Sequence, residues 1–101
     1  MKTIERNKGD QRLFSYYKPP TEKQRLSDFD KQVFGLIKEK SQCSINDILI
    51  RLITNYDPQL EQSQRDFKER LKVATTTGKV FGAIYQLTKY GCITIIEKNI
   101  L

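Results

Sequence analysis

The chain has no histidine and no tryptophan, and only two cysteines and three prolines among its 101 residues. Without histidine it lacks the commonest general base, the usual transition-metal ligand and every Ser-His or Cys-His catalytic pair, which places an enzyme last among the function classes. Cys43 and Cys92 are separated by 48 residues, so they form neither a CxxC zinc pair nor a disulfide framework of the secreted type. Unpaired cysteines in a reducing interior are the simpler expectation. Nowhere do about 20 apolar residues run together to span a membrane, and the opening MKTIERNKGDQR has no apolar signal-peptide core. These absences predict a soluble cytoplasmic protein, nucleoid-associated if the source is prokaryotic. They also predict no catalytic residue, metal, cofactor, membrane or small-molecule ligand.

The length admits one small domain, which buries only ~60–65% of the surface its unfolded chain exposes. Its formal net charge is +6, an excess that favours polyanionic partners. The excess is uneven. Residues 1–25 carry seven basic side chains, Arg6, Lys8, Arg12 and Lys18 among them, against three acidic ones. Residues 26–64 carry four against six, and residues 65–89 six against two. A basic face opposite an acidic one follows.

Residues 1–25 read as an extended N-terminal arm outside the core, with residues 26–101 as the domain. Within the arm, Leu13, Phe14, Tyr16 and Tyr17 form one apolar cluster, and Pro19-Pro20 then forces an extended path. Such an arm either docks loosely through its aromatics or reaches DNA or a second subunit; Phe14, Tyr16 and Tyr17 could also stack on single-stranded bases. Ser27 with Asp30 three residues on has the form of a capping box, and Phe29, Val33, Phe34, Leu36 and Ile37 follow at helical spacing, giving a helix over 28–40. Ser44 and Asp47 repeat the signal before Ile45, Ile48, Leu49, Leu52 and Ile53, an amphipathic helix that Asn55 to Pro58 stops.

Residues 63–74 give a weaker helix with Phe67, Leu71 and Ala74 on one stripe and Arg65, Lys68 and Lys72 on another. Thr75-Thr76-Thr77-Gly78 predicts a break or kink, with a new helix running to about Tyr90. In that helix Val80, Ile84 and Leu87 face inward and Lys79, Gly82, Tyr85, Gln86 and Lys89 outward. Gly91 fits a C-cap, and the β-branched run from Cys92 to Ile96 is a strand candidate.

A capped helix, a short link, a second capped helix beginning Ser44-Ile45-Asn46-Asp47, and then Lys79 to Ile93 with a glycine at Gly91 resemble the winged-helix branch of the helix-turn-helix superfamily. The resemblance covers about residues 28–97. It implies a mainly α, winged-helix-like bundle with a small or truncated β-wing, in which helix 76–90 is the recognition helix and leads into the first wing strand. Two departures stand out. Some 20 residues separate the second helix from the recognition helix, so 63–74 is either an inserted helix or the first part of one long bent helix ending at Tyr90. Only five residues follow the wing strand, too few for a wing turn and return strand. A short strand near 42–44 could pair with 93–96 instead, bringing Cys43 toward Cys92.

The resemblance implies double-stranded DNA as the partner, with transcription regulation, replication or maintenance as the setting. Thr75, Thr76 and Thr77 would offer hydroxyls to phosphate at a helix start, with Lys79 adding charge. Gly82 would let the helix approach base edges, Tyr85 would lie outward beside it, Gln86 could pair with adenine, and Lys89 could reach phosphate or guanine. Arg65, Lys68 and Lys72 would extend the basic face. A homodimer through the arm or the helix ending at Lys40 is a further expectation. The alternative is a protein-interaction module on the same fold. A nucleotide-binding loop at Thr77-Gly78-Lys79 is excluded, because Val73 and Val80 stand where its glycine and hydroxyl residue belong.

Overall fold

A computed structural model describes residues 12–96. The elements run β1 (Leu13–Tyr16), α1 (Asp28–Lys40), β2 (Gln42–Ser44), α2 (Ile45–Leu52), a single 3₁₀ turn (Gln62–Gln64), α3 (Phe67–Lys89) and β3 (Ile93–Ile96). The result is a small α/β domain with three α-helices and one three-stranded antiparallel sheet among the described residues. Helices supply most of its ordered structure, in partial agreement with a mainly α class.

The two capping boxes are present where the sequence placed them. Ser27 Oγ accepts from the Asp30 amide at 3.0 Å while Asp30 accepts from the Ser27 amide at 3.1 Å. Ser44 and Asp47 repeat the exchange at 3.1 and 3.0 Å. Each box satisfies two amides that a helix start leaves unpaired, so these helices begin abruptly. At the far end of the domain, Gly91 takes φ +74°, and the Cys92 amide donates to the Leu87 carbonyl at 2.9 Å. That is a Schellman closure, and it turns the chain directly into β3.

Three expectations need correction. First, Leu13–Tyr16 is not part of an arm outside the core: it is the middle strand of the sheet, whose order is β2-β1-β3. Phe14 pairs with Cys43 on one side and Ile95 on the other, and its ring is completely buried. The segment after it is also held, since the Tyr17 amide donates to the Cys92 carbonyl at 2.8 Å and Gln24 Nε2 donates to the Tyr90 carbonyl at 3.4 Å. Second, β2 and β3 do not pair with each other, because β1 lies between them. Cys43 and Cys92 are buried and free.

Third, the threonine run does not break the helix. Three threonines and a glycine cost a helix interior about 2–3 kcal/mol relative to alanine. Val80, Ala83, Ile84 and Leu87 on the same helix are buried against the core, each of the larger ones contributing about 1.5–3 kcal/mol. Packing outweighs propensity, and one helix of 23 residues results, the long-helix alternative. It starts at an Asp66–Glu69 capping box, later than residue 63.

Phe14, Val33, Ile37, Cys43, Ile48, Val80, Leu87, Cys92 and Ile93 make the centre of the core, so every regular element except the 3₁₀ turn contributes to it.

Candidate nucleic-acid interface

At 100° per residue, the core-facing side of α3 is set by Val80, Ala83, Ile84 and Leu87. Lys68, Lys72, Thr75, Lys79 and Gln86 fall together on one flank, within an arc of about 60°. Four of the five are exposed, and Gln86 is half-buried. Lys79 Nζ lies 5.7 Å from the centroid of the Phe29 ring at the start of α1, which steadies the ammonium beside the helix without neutralising it. Lys68 and Lys72 stand at the rim of a cleft of about 270 Å³ between α3 and residues 53–57.

The charges around this flank are arranged unequally. Lys40 lies 3.7 Å from Asp47, and Arg51 lies 3.3 Å from Glu39, so one cation of α1 and the one of α2 pair with acids, while Lys31 and Lys38 of α1 do not among the described residues. Among the described residues, Lys68, Lys72, Lys79 and Lys89 have no carboxylate within ion-pair distance. Lys89 sits instead at the C-terminal end of α3, with Nζ 5.8 Å from the Tyr90 ring centroid. A cation there is favoured by the negative end of the helix dipole.

Other expected site residues lie elsewhere. Arg65 is not on the basic face. It is 7% exposed; Nη1 donates to Gln62 Oε1 and Nη2 to the Asp57 carbonyl, both at 2.7 Å, and the guanidinium lies 5.1 Å from the Tyr56 ring centroid. These contacts fasten the connection between α2 and α3, a task for a rigid five-donor fork. Thr75, Thr76 and Thr77 do not stand at a helix start. That start lies nine residues before Thr75, at Asp66, where side-chain carboxylates already cap the free amides. Thr76 and Thr77 are half-buried, on the side of α3 that continues toward the core.

Gly82 is open, with nothing within 4 Å of a Cβ built there. Tyr85 is exposed but belongs to a different, apolar face of α3. Arg6 and Lys8 fall outside the described residues. Arg12 lies 5.6 Å from the Phe14 ring centroid, where the chain enters β1. The Lys18 side chain lies along Gly91, with Cε 3.6 Å from where a Cβ would be, so it belongs to the turn after α3 and not to an arm.

The thiols are unsuited to nucleophilic work. Burial, reinforced by Asp47, pushes Cys43 up to about 11, and burial also raises Cys92, against the opposing pull of Lys18. Among the described residues no group of three or more His, Cys, Asp or Glu side chains could hold a metal, and no helix is long and apolar enough to cross a membrane. No family model matches this chain, and neither a curated protein nor a solved structure is significantly similar to it.

Proposed function

We propose that this protein binds double-stranded DNA, as a transcriptional regulator or a replication or maintenance factor, through the lysine flank of α3. The observation that carries the reading is the exposed row Lys68, Lys72 and Lys79 along one flank of α3, free of carboxylate partners among the described residues. The row spans about 16 Å of helix, the rise of about five base pairs. Contacts of this kind neutralise phosphates and set the register of a protein on the duplex without reading sequence. Gln86, half-buried on the same flank, would be the side chain to pair with adenine.

A winged-helix-like arrangement accommodates this reading in a modified form. β1 is antiparallel to both neighbours and takes the middle of the sheet, the part a return strand after the wing would otherwise play. Leu13 pairs with Ile96, so the chain enters β1 beside the point where it leaves β3.

A titration with duplex DNA at two salt concentrations tests the proposal. Affinity weaker than ~10⁻⁴ M at low salt, or affinity independent of salt, refutes it. Replacing Lys79 should weaken all sequences alike, while replacing Gln86 should relax the preference at one position. A second reading, a protein-interaction module, draws on Phe67, Leu71, Phe81 and Tyr85, the exposed apolar side chains of α3. Its mark is a protein complex that survives moderate salt in a chain that does not bind DNA.

A further inference from the structure

Eight large hydrophobic side chains are exposed among the described residues, and four of them lie on one face of α3: Phe67 at 70%, Tyr85 at 65%, Leu71 at 56% and Phe81 at 39%. With Ala74 and Gly78 they fall at alternating steps of four and three residues, the spacing of a helix–helix seam. The order of sizes is symmetric about Thr76. Phe67 mirrors Tyr85, Leu71 mirrors Phe81, and Ala74 mirrors Gly78.

We infer that this face is the interface of a homodimer in which two copies of α3 pack antiparallel, with the two-fold axis at the height of Thr76. In that register large side chains meet large ones at both ends, and small ones meet in the middle, where the helices can approach to about 8 Å. Antiparallel packing also sets the positive end of each helix dipole beside the negative end of the other, whereas parallel packing would bring like ends together. A self-complementary patch of this kind closes with two copies.

The area suffices. At roughly 200 Å² per large side chain, the exposed fractions amount to about 450 Å² per copy and about 900 Å² for the pair. Ala74, Gly78 and the stems of the flanking lysines bring the total above the ~1,000 Å² that a specific interface needs. The two-fold axis places like flanks on the same side of the helix pair. Lys68, Lys72 and Lys79 of both copies then form one band, with Lys72 of each at the height of Lys79 of the other. These cations repel across the seam, so the dimer tightens as salt is added, unlike one held by ion pairs.

The test needs no nucleic acid and stands whether or not DNA binds. Sedimentation equilibrium at up to about 100 μM protein should give twice the 11.9 kDa chain mass, with a dissociation constant that falls as salt rises. Leu71→Glu, at an exposed position, should return a monomer with unchanged helical circular dichroism. A monomeric native chain, or a Leu71→Glu variant that remains dimeric, overturns the inference. The register has its own readout. Phe67→Cys and Tyr85→Cys variants, mixed and oxidised, should cross-link to each other and not to themselves, since like positions lie about 27 Å apart along the axis. Self-linked products would mean parallel helices and would also overturn it.

Discussion

Replacing Phe14 with alanine is the sharpest probe of the packing, because the residue lies within a segment whose composition reads as a surface arm. Its ring is completely buried between Cys43 of β2 and Ile95 of β3. Truncating a buried phenylalanine costs about 3–5 kcal/mol, the spread depending on how far the site can collapse. Here collapse is limited, since β1 is hydrogen-bonded on both edges and cannot move toward one neighbour without leaving the other. The upper half of that range, about 4–5 kcal/mol, is therefore expected. A domain of this size has a total stability of only about 5–15 kcal/mol, so the variant should be marginal at 25 °C.

Urea denaturation followed by circular dichroism measures the loss, provided the slope with denaturant stays constant. Tyr17→Ala is the control. Tyr17 is 64% exposed, and its loss should change stability by no more than about 0.5 kcal/mol. A loss below about 1 kcal/mol for Phe14→Ala would refute the placement of β1 in the sheet.

Arg65→Ala should destabilise by about 2–4 kcal/mol, because it leaves Gln62 Oε1 and the Asp57 carbonyl without their donor; Arg65→Lys should recover little of this, having no fork. Denaturant titration of the pair decides the point. The Cys43 thiol, lifted to about 11 when folded from an ordinary value of 9.0, is neutral in both states at lower pH. Its contribution is thus fully kept below pH 9 and lost as pH rises toward about 11, since the unfolded chain ionises first. Thermal melts across that interval should show the fall, and a thiol reagent at pH 8 should label neither cysteine until the chain unfolds. Gly82→Ala meets open space on an exposed helix face and should raise stability by about 0.5–1 kcal/mol, measured by the same titration.

What the sequence made legible was local. Ser27 with Asp30 and Ser44 with Asp47 fix helix starts through bonds within four residues, so their spacing suffices to find them. Gly91 is similarly readable, because only a glycine enters φ +74° without strain. β1 was not readable: four residues in a basic stretch become a central strand only through partners 27 or more positions away.

The continuity of α3 was half visible. Thr76 and Thr77 argue for a cap by propensity, yet they sit at the correct steps between Val73 and Val80 to continue the core-facing row. On the opposite face, the steps from Phe67 to Tyr85 carry through Gly78 without interruption. That second periodicity is the sequence signal for one continuous helix. At the candidate site, Lys68 and Lys72 were identifiable as one stripe, but Lys79 joins their flank only because α3 is continuous, and Arg65 was not separable from the stripe. A buried arginine leaves no periodic trace, and its partners Asp57 and Gln62 become its neighbours only once the connection after α2 has folded.

The central claim, that the unpaired lysine flank of α3 contacts nucleic-acid phosphate, is tested most directly by one comparison. The salt dependence of duplex DNA affinity is measured for the native chain and for the Lys68→Gln, Lys72→Gln, Lys79→Gln triple variant. Each lost phosphate contact lowers the magnitude of the log–log slope by about 0.9, so the triple variant should show a slope shallower by about 2.7 per copy bound. An unchanged slope, with folding intact by circular dichroism, would contradict the account.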